Sequence, residues 1–288
     1  MSTLLEDSTA RFLDIVKHRK IPADEYNVVF MGDSWVSKGV GADQNEQREL
    51  TNPSTTGSAI FLAAMEEAKK YNPLCIIHGG DAVFNGSKAQ LTFFRSTVQN
   101  PAYAGDIPIF ITIGNHDVYD NQQGNFSPDN YRKIIGDLHY SISDSCSDPY
   151  HFTFISLNNV SPDYKTLPSS EIDFLVNTLN DPAITHRNCF VGMHVPPMTD
   201  KWTDGFVVGR DELYAVLSQG KVRNLLVSHR HEISTDEGAG VEFILSGAGG
   251  APLFVGQTFA IIVFTIKNIM DKASSIISYK IVPIGWSA

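Results

Sequence analysis

Residues 74–81 read Leu74-Cys75-Ile76-Ile77-His78-Gly79-Gly80-Asp81, an apolar run closed by a histidine, two glycines and an aspartate. A short apolar run bounded by turn residues is the pattern of a strand buried on both faces. The same arrangement recurs along the chain. Run 28–31 leads into Gly32-Asp33, run 109–113 into Gly114-Asn115-His116-Asp117, run 189–193 into His194-Val195-Pro196-Pro197, and run 225–228 into His229-Arg230-His231. Stretches with helical periodicity lie between the runs at 58–70, 88–98, 169–179 and 211–217. Ahead of them, residues 4–16 form a loosely amphipathic helix that ends before Pro22. Strands alternating with helices at this spacing predict an α/β domain.

Two segments depart from the alternation. Residues 150–157, and the tail 258–267 with 274–282, read as antiparallel additions, the tail as a hairpin around 267–273. Phe93 and Phe94 fall on a helical pattern and are expected in the core. Gly247, Gly249 and Gly250 predict a tight turn on the core side. No internal repeat, low-complexity stretch or linker divides the chain, so residues 1–288 are read as one domain. The polar loops 37–56 and 119–129 exceed the usual connection length and are expected to be functional or mobile.

Composition narrows the classes. With 42% hydrophobic and 19% charged residues over 288 positions, the chain is globular and long enough for a large core. It has 22 Lys+Arg against 32 Asp+Glu, a net charge of −10, and no basic cluster, which argues against nucleic-acid or anionic-membrane binding. No apolar stretch approaches the roughly 20 residues that span a bilayer. The N-terminus is polar (Glu6, Asp7, Arg11, Asp14) and carries no signal-peptide core, so a soluble, cytoplasmic protein is expected. Cys75, Cys146 and Cys189 form no C-x-x-C pair and no disulfide framework. Cys75 and Cys189 sit in apolar runs and read as buried hydrophobes.

In α/β sheets ligands collect at the carboxyl ends of the strands. The five loops deliver three carboxylates (Asp33, Asp81, Asp117), one carboxamide (Asn115) and five imidazoles (His78, His116, His194, His229, His231) there. Each residue alone is ordinary in a turn. Their recurrence at all five strand ends points to a metal. Residues two apart on an extended segment share a side, so His229 and His231 can face one point. Oxygen and imidazole donors suit Mn, Fe or Zn, and the absence of Cys ligands argues against a closed structural zinc.

Taken in order, G-D, G-G-D, G-N-H-D, H-V-P-P and H-R-H resemble the motifs of the calcineurin-like metallophosphoesterases. The resemblance runs from about residue 26 to residue 250 and includes the 167–179 segment and the glycines after Leu245. It implies an α/β (α+β) fold, a four-layer αββα sandwich of two mixed β-sheets flanked by helices, with residues 258–288 as C-terminal strands of the same domain. It also implies two metal ions in the loops at the strand ends. Carried over by position, Asp81 would bridge both ions. Asp33 and His231 would belong to the first, and Asn115, His194 and His229 would complete the second. The implied reaction is hydrolysis of a small phosphoester, diester or monoester, by a metal-activated water attacking in line. His116 would protonate the leaving oxygen or stabilise the phosphoryl charge. Asp117 would either orient His116 or cap the next turn.

The resemblance breaks at one point. The family's first motif is D-x-H, and here it is Asp33-Ser34-Trp35. An indole offers only a donor N–H and cannot coordinate a cation. The first metal site, reduced to Asp33, Asp81 and His231, is therefore expected to be weak or empty, with His78 a candidate replacement ligand. Phe84 stands where purple acid phosphatases carry a metal-binding Tyr and phosphoprotein phosphatases an Asp, so neither subfamily fits. No Arg follows the 114–117 motif closely, as it does in some cyclic-nucleotide phosphodiesterases of the family.

Two other readings compete. Residues 28–34 also resemble the first block of the GDS-type (SGNH) esterases, with Ser34 as nucleophile. That mechanism needs an Asp-x-x-His pair. Asp148 to His151 is the only such spacing, and the reading leaves His194, His229 and His231 without a role. In the third reading the chain is a non-catalytic module whose single strong metal is structural or recruits a phosphate-bearing ligand, with Trp35 either stacking on a base or sugar or simply packing against its loop. Lys201, Trp202, Asp204 and Arg210 could line a pocket, although an exposed polar loop is the default. His18, His139, His151 and His186 have no partner at ligand spacing and read as surface or strand-edge residues.

Overall fold

Strand β1 (Glu25–Met31) shows how the layers arise. Val28 and Phe30 point into one apolar cluster, while Val29 and Met31 point into another. The side-chain period of two divides a continuous apolar run between two interfaces, as expected of a strand covered on both faces. The same division holds at Ile76 against Ile77, at Ile109 and Ile111 against Phe110, and at Ile261 and Val263 against Ile262 and Phe264. The computed structural model describes residues 2–18, 25–36, 57–103, 106–120, 125–144, 150–160, 163–184, 186–268 and 275–285.

The first sheet has the order β13–β12–β1–β2–β3, with β2 at Ile76–His78, β3 at Ile109–Ile111, β12 at Ala260–Lys267 and β13 at Ile276–Pro283. Strands β1, β2 and β3 run parallel and end level, Met31 pairing with His78 and His78 with Ile111. The second sheet has the order β10–β11–β9–β8–β7–β6. Its strands are β6 (Tyr140–Ser143), β7 (Phe152–Ser156), β8 (Asn188–Gly192), β9 (Asn224–Val227), β10 (Ile233–Gly238) and β11 (Val241–Ser246). The middle four are parallel and the two edge pairs antiparallel. Phe110, Phe152, Phe154, Phe190, Leu226, Ile244 and Phe264 fill the space between the sheets.

Helices close the outer faces. Helices α2 (Gly57–Lys69) and α3 (Lys88–Val98) cover the first sheet through Ile60, Phe61, Ala64, Leu91 and Phe94. Ser87 caps the second of these by accepting a hydrogen bond from the Gln90 N–H. On the far side Leu175 and Leu179 of Ser169–Asn180 pack on the second sheet with Leu213 and Leu217 of Arg210–Leu217. Helix α1 (Leu4–His18) lies at the edge beside β3, where Phe12 meets Phe110 edge-to-face with ring centroids 5.7 Å apart. Three apolar interfaces between four layers give the αββα sandwich of two mixed sheets. Cys75 and Cys189 are buried, and Cys146 lies outside the described residues.

Some local readings change. The 150–157 segment forms β7, which is antiparallel to β6 but parallel to β8, so it is an internal strand of the sheet. Strand β6 and the β10–β11 hairpin had no counterpart in the sequence pattern: Ile233–Gly238 reads Ile-Ser-Thr-Asp-Glu-Gly and carries almost no apolar signal. The tail pairs antiparallel as expected, with Ala260 opposite Pro283 and Lys267 opposite Ile276. Loop 37–56 lies outside the described residues, and loop 119–129 contains the short antiparallel pair β4 (Tyr119–Asp120) and β5 (Asn125–Phe126). No helix among the described residues is long and apolar enough to cross a membrane.

Candidate metal centre

The parallel strands of both sheets deliver their loops to one edge of the sandwich. The turns there are sharp. Asp33, Trp35, Asp81 and His229 adopt positive φ values of 54°, 46°, 52° and 72°, a region in which non-glycine residues are uncommon. Such strain persists where surrounding structure fixes it, and it gathers at functional sites. Here the Asp33 N–H donates to the Gly80 carbonyl at 3.0 Å, and the Trp35 N–H to that of Asp81 at 3.1 Å. Close approach also explains two glycines. A methyl on Gly114 would stand 2.0 Å from the Asp81 nitrogen, and one on Gly247 would stand 2.2 Å from the Arg230 carbonyl oxygen.

One group of donors centres on Asp81. Asp33, Asp81 and His194 are fully buried, and each offers a ligand atom within 4.8 Å of the others. His194 donates from Nδ1 to the Gly79 carbonyl (2.8 Å), which turns Nε2 toward Asn115 Oδ1 at 3.0 Å and Asp81 Oδ1 at 3.4 Å. His229 Nδ1 meets the same Asn115 oxygen at 3.0 Å and His194 Nε2 at 3.3 Å. Four groups of metal-binding type therefore face one point. Burial would drive the proton off His194, but Asp81 and Asp33 hold it there, and its pKa rises to about 9. Burial, reinforced by the charge on His194, lowers His229 to about 3. Burial also works against ionisation of Asp81, yet His194, His116 and His229 hold its carboxyl well below the usual range. This convergence calls for positive charge: the proton on His194 supplies it, and a divalent ion held by the same four groups would replace that proton.

The second group centres on Asp33. Its Oδ2 accepts the His229 N–H at 3.0 Å. Its Oδ1 is buried without a hydrogen-bond partner among the described residues, 3.7 Å from His231 Nε2. His231 donates from Nδ1 to the Pro252 carbonyl at 2.7 Å, so Nε2 presents a lone pair to that oxygen. Burial pushes the Asp33 carboxyl well above its ordinary value, against the pull of His194 and with the push of Asp81. Asp33 Oδ1 and the His231 Nε2 lone pair, 3.7 Å apart, are a pair that a proton or a shared cation would bridge. An imidazole that ligates with one nitrogen and donates to a backbone carbonyl with the other is the usual support of a metal site. His194 and His231 both have that arrangement.

His116 stands beside these groups. It donates from Nδ1 to the Phe84 carbonyl (2.8 Å), and its Nε2 lies 4.0 Å from Asp81 Oδ2. Asp117 does not touch it. The Asp117 carboxylate accepts from Gly114 N–H (2.9 Å) and Val83 N–H (3.1 Å), so it caps the turn Asn115–Val118. Burial, with Asp81 nearby, raises the Asp117 pKa to about 7.

Residues 27–232 match the sequence model of the calcineurin-like phosphoesterases. The chain belongs to that family. Calcineurin-like phosphoesterases use divalent metals, and the cluster of Asp33, Asp81 and His194 is where this member can hold one. The fold is shared with solved structures at low identity. The Plasmodium protein GAP50, the anchor in the inner membrane complex, aligns with a TM-score of 0.53 at 14% identity, over 91% of this chain and 90% of that one. A Staphylococcus aureus protein provisionally named a 5'-nucleotidase, solved with α-ketoglutarate, aligns with the same TM-score and identity over 90% of this chain and 54% of that one. No curated protein sequence matches the chain.

The remaining sequence-derived residues fall elsewhere. His78 does not replace a ligand: its ring sits between Phe61 and Phe94, with centroids 6.1 and 5.8 Å away, and Nε2 donates to Ser34 Oγ. Ser34 is itself buried and donates to the Ala82 carbonyl at 2.9 Å. His151 precedes β7, at the end of the sheet opposite His194, and Asp148 lies outside the described residues. The serine-esterase constellation is therefore not assembled around Ser34. Trp202 belongs to the core, with its indole N–H on Ser234 Oγ at 3.1 Å. Asp204 pairs with Arg230, whose Nε also donates to Glu232 at 3.1 Å, so Arg230 fixes the His229-Arg230-His231 segment. The sequence did not show that role, nor the carbonyls of Gly79, Phe84 and Pro252, because a backbone acceptor carries no residue signature.

Proposed function

We propose that the chain is a metal-dependent phosphoester hydrolase acting on a small phosphodiester or phosphomonoester. The observation that carries this reading is the convergence of Asp81, Asn115 Oδ1, His194 Nε2 and His229 Nδ1, beside a buried Asp33 oxygen that lacks a partner. Asp81, Asn115, His194 and His229 would hold one ion, and Asp33, Asp81 and His231 the other position. Bound Mn, Fe or Zn would supply Lewis-acid charge and a nucleophile drawn from water at neutral pH.

The chain's own groups would do the rest. His116 is fixed by the Phe84 carbonyl, so its Nε2 faces the centre and can hold a proton for the departing oxygen. Buried Asp81 keeps its negative charge and sets the centre against the neighbouring imidazoles. An acidic chain would attract an anionic phosphoester only where bound ions reverse the local field. In this reading the enzyme is a single cytoplasmic domain, with no nucleic-acid or membrane partner.

A second reading is favoured by Trp35, which stands where the family has a ligand: a module that binds phosphate through its metal without turning it over. One assay separates the two. Metal-stripped protein is supplied with Mn²⁺, Fe²⁺ or Zn²⁺ and given bis(p-nitrophenyl) phosphate and p-nitrophenyl phosphate, beside Asn115→Ala and His116→Ala. Metal-dependent turnover reduced by about 10²–10⁴ in His116→Ala supports the hydrolase. No turnover with any metal rejects it.

A further inference from the structure

Trp35 does more than leave out a ligand. Its indole nitrogen lies 3.4 Å from Asp81 Oδ2, the carboxylate oxygen turned away from His194. The indole is a donor only, so this oxygen receives a hydrogen bond in the place where a cation would otherwise sit. The ring packs against its neighbours on three sides, 4.5 Å from His116, 4.9 Å from His231 and 4.9 Å from Phe84. Phe84 in turn lies 5.4 Å from His116. Trp35 thus fills the ground between His116 and His231, with Phe84 packed against it and against His116.

The two halves of the centre are consequently unequal. On one side four groups face a point: Asp81 Oδ1, which also accepts the His116 N–H at 2.8 Å, Asn115 Oδ1, His194 Nε2 and His229 Nδ1. On the other, Asp33 has already given Oδ2 to the His229 N–H, and Asp81 has given Oδ2 to the indole. Asp33 Oδ1 and His231 Nε2 are what that side has left.

We propose that Trp35 makes this a one-ion centre at rest. An ion is retained by Asp81, Asn115, His194 and His229, while the Asp33–His231 side fills only at much higher free metal, once the indole gives up Asp81. The proposal rests on the hydrolase reading for the presence of a metal, and on Trp35 for the number of ions.

The test counts ions and does not depend on activity. The full chain is equilibrated with excess Mn²⁺, passed through a desalting column into metal-free buffer, and analysed for metal per chain by mass spectrometry. Wild type is compared with Trp35→His and Trp35→Phe, and circular dichroism establishes that each variant is folded. Wild type should retain one ion, Trp35→His two, and Trp35→Phe one, because phenylalanine restores no ligand. A tryptophan-fluorescence titration of the wild type should then show a second step roughly 10–100-fold weaker than the first, the range that supporting partners impose on metal affinity. Two equally retained ions in the wild type, or one in folded Trp35→His, overturn the proposal. A wild type that binds no ion overturns both this proposal and the hydrolase reading. One retained ion without phosphoester turnover upholds the proposal and rejects the hydrolase reading alone.

Discussion

The backbone N–H of His229 donates to Asp33 Oδ2 at 3.0 Å, although the two residues follow strands of different sheets. Asp81 and His194 repeat the crossing, 3.4 Å apart. The edge that carries the candidate ligands is therefore also where the two halves of the sandwich are tied. Both Asp33 and His229 sit at positive φ, and this clasp is one of the contacts that keep them there.

Replacing Asp33 separates the clasp from the metal. Asp33→Asn keeps an oxygen for the His229 N–H, and should cost less than about 1 kcal/mol in chemical unfolding. Asp33→Ala leaves a buried donor without its partner, and should cost about 1–3 kcal/mol. Equal unfolding free energies for the two variants would show that the bond contributes nothing.

Gly114→Ala tests the close approach behind Asp81. The added methyl would stand 2.0 Å from the Asp81 nitrogen and 2.3 Å from its Oδ1, and the nearest of these is backbone, which cannot swing aside. Stability should fall by about 1–3 kcal/mol, the cost typical of overpacking. Retained metal should fall with it. Gly285→Ala, where an added methyl meets nothing within 4 Å among the described residues, is the control and should change neither.

These contacts mark how far the residues alone could be read. The buried strands were legible because an apolar run followed by a turn has few other meanings, and the ligand-bearing loops because Asp33, Asp81, Asn115, His194, His229 and His231 all close such runs. Strand β10 was not, since an edge strand of Ser, Thr, Asp and Glu takes its conformation from β11 and not from its own pattern. Trp202 read as part of a polar loop because Lys201 and Asp204 flank it, yet packing against Phe243 fixes it in the core. Asp117 left two roles open. Only the positions of the Gly114 and Val83 amides decide for the cap.

His78 gives the stability curve an acid limb. Burial, with a smaller contribution from His194 opposed by Asp81, lowers its pKa to about 3 from 6.5. Below pH 6.5 the unfolded imidazole takes up a proton that the folded one refuses. The contribution of His78 is therefore complete above pH 6.5 and is lost as pH falls toward 3, at up to about 1.4 kcal/mol per pH unit. His78→Gln removes the titrating group while keeping a donor for Ser34. Urea unfolding at about pH 7.5 and about pH 5 should show a shallower loss in the variant than in the wild type. Parallel losses would assign the acid limb to other groups.

Ser34 and His116 should respond in opposite ways. Ser34 is fully buried, donates to the Ala82 carbonyl at 2.9 Å, and accepts from His78 Nε2 at 3.0 Å. The Gly80 N–H reaches His78 Nδ1, so Nε2 is the protonated nitrogen and cannot act as a base toward the hydroxyl. Ser34→Ala strands two buried polar partners and should cost about 1–3 kcal/mol in unfolding. It should leave phosphoester turnover per folded molecule unchanged. His116 is partly exposed and spends one nitrogen on a carbonyl, so His116→Ala should move the melting temperature little while cutting turnover by about 10²–10⁴. Thermal melts and initial rates on the same preparations give both readings. A Ser34→Ala protein that keeps its stability but loses hydrolysis, with activity that survives chelation, would return the serine to the role of nucleophile.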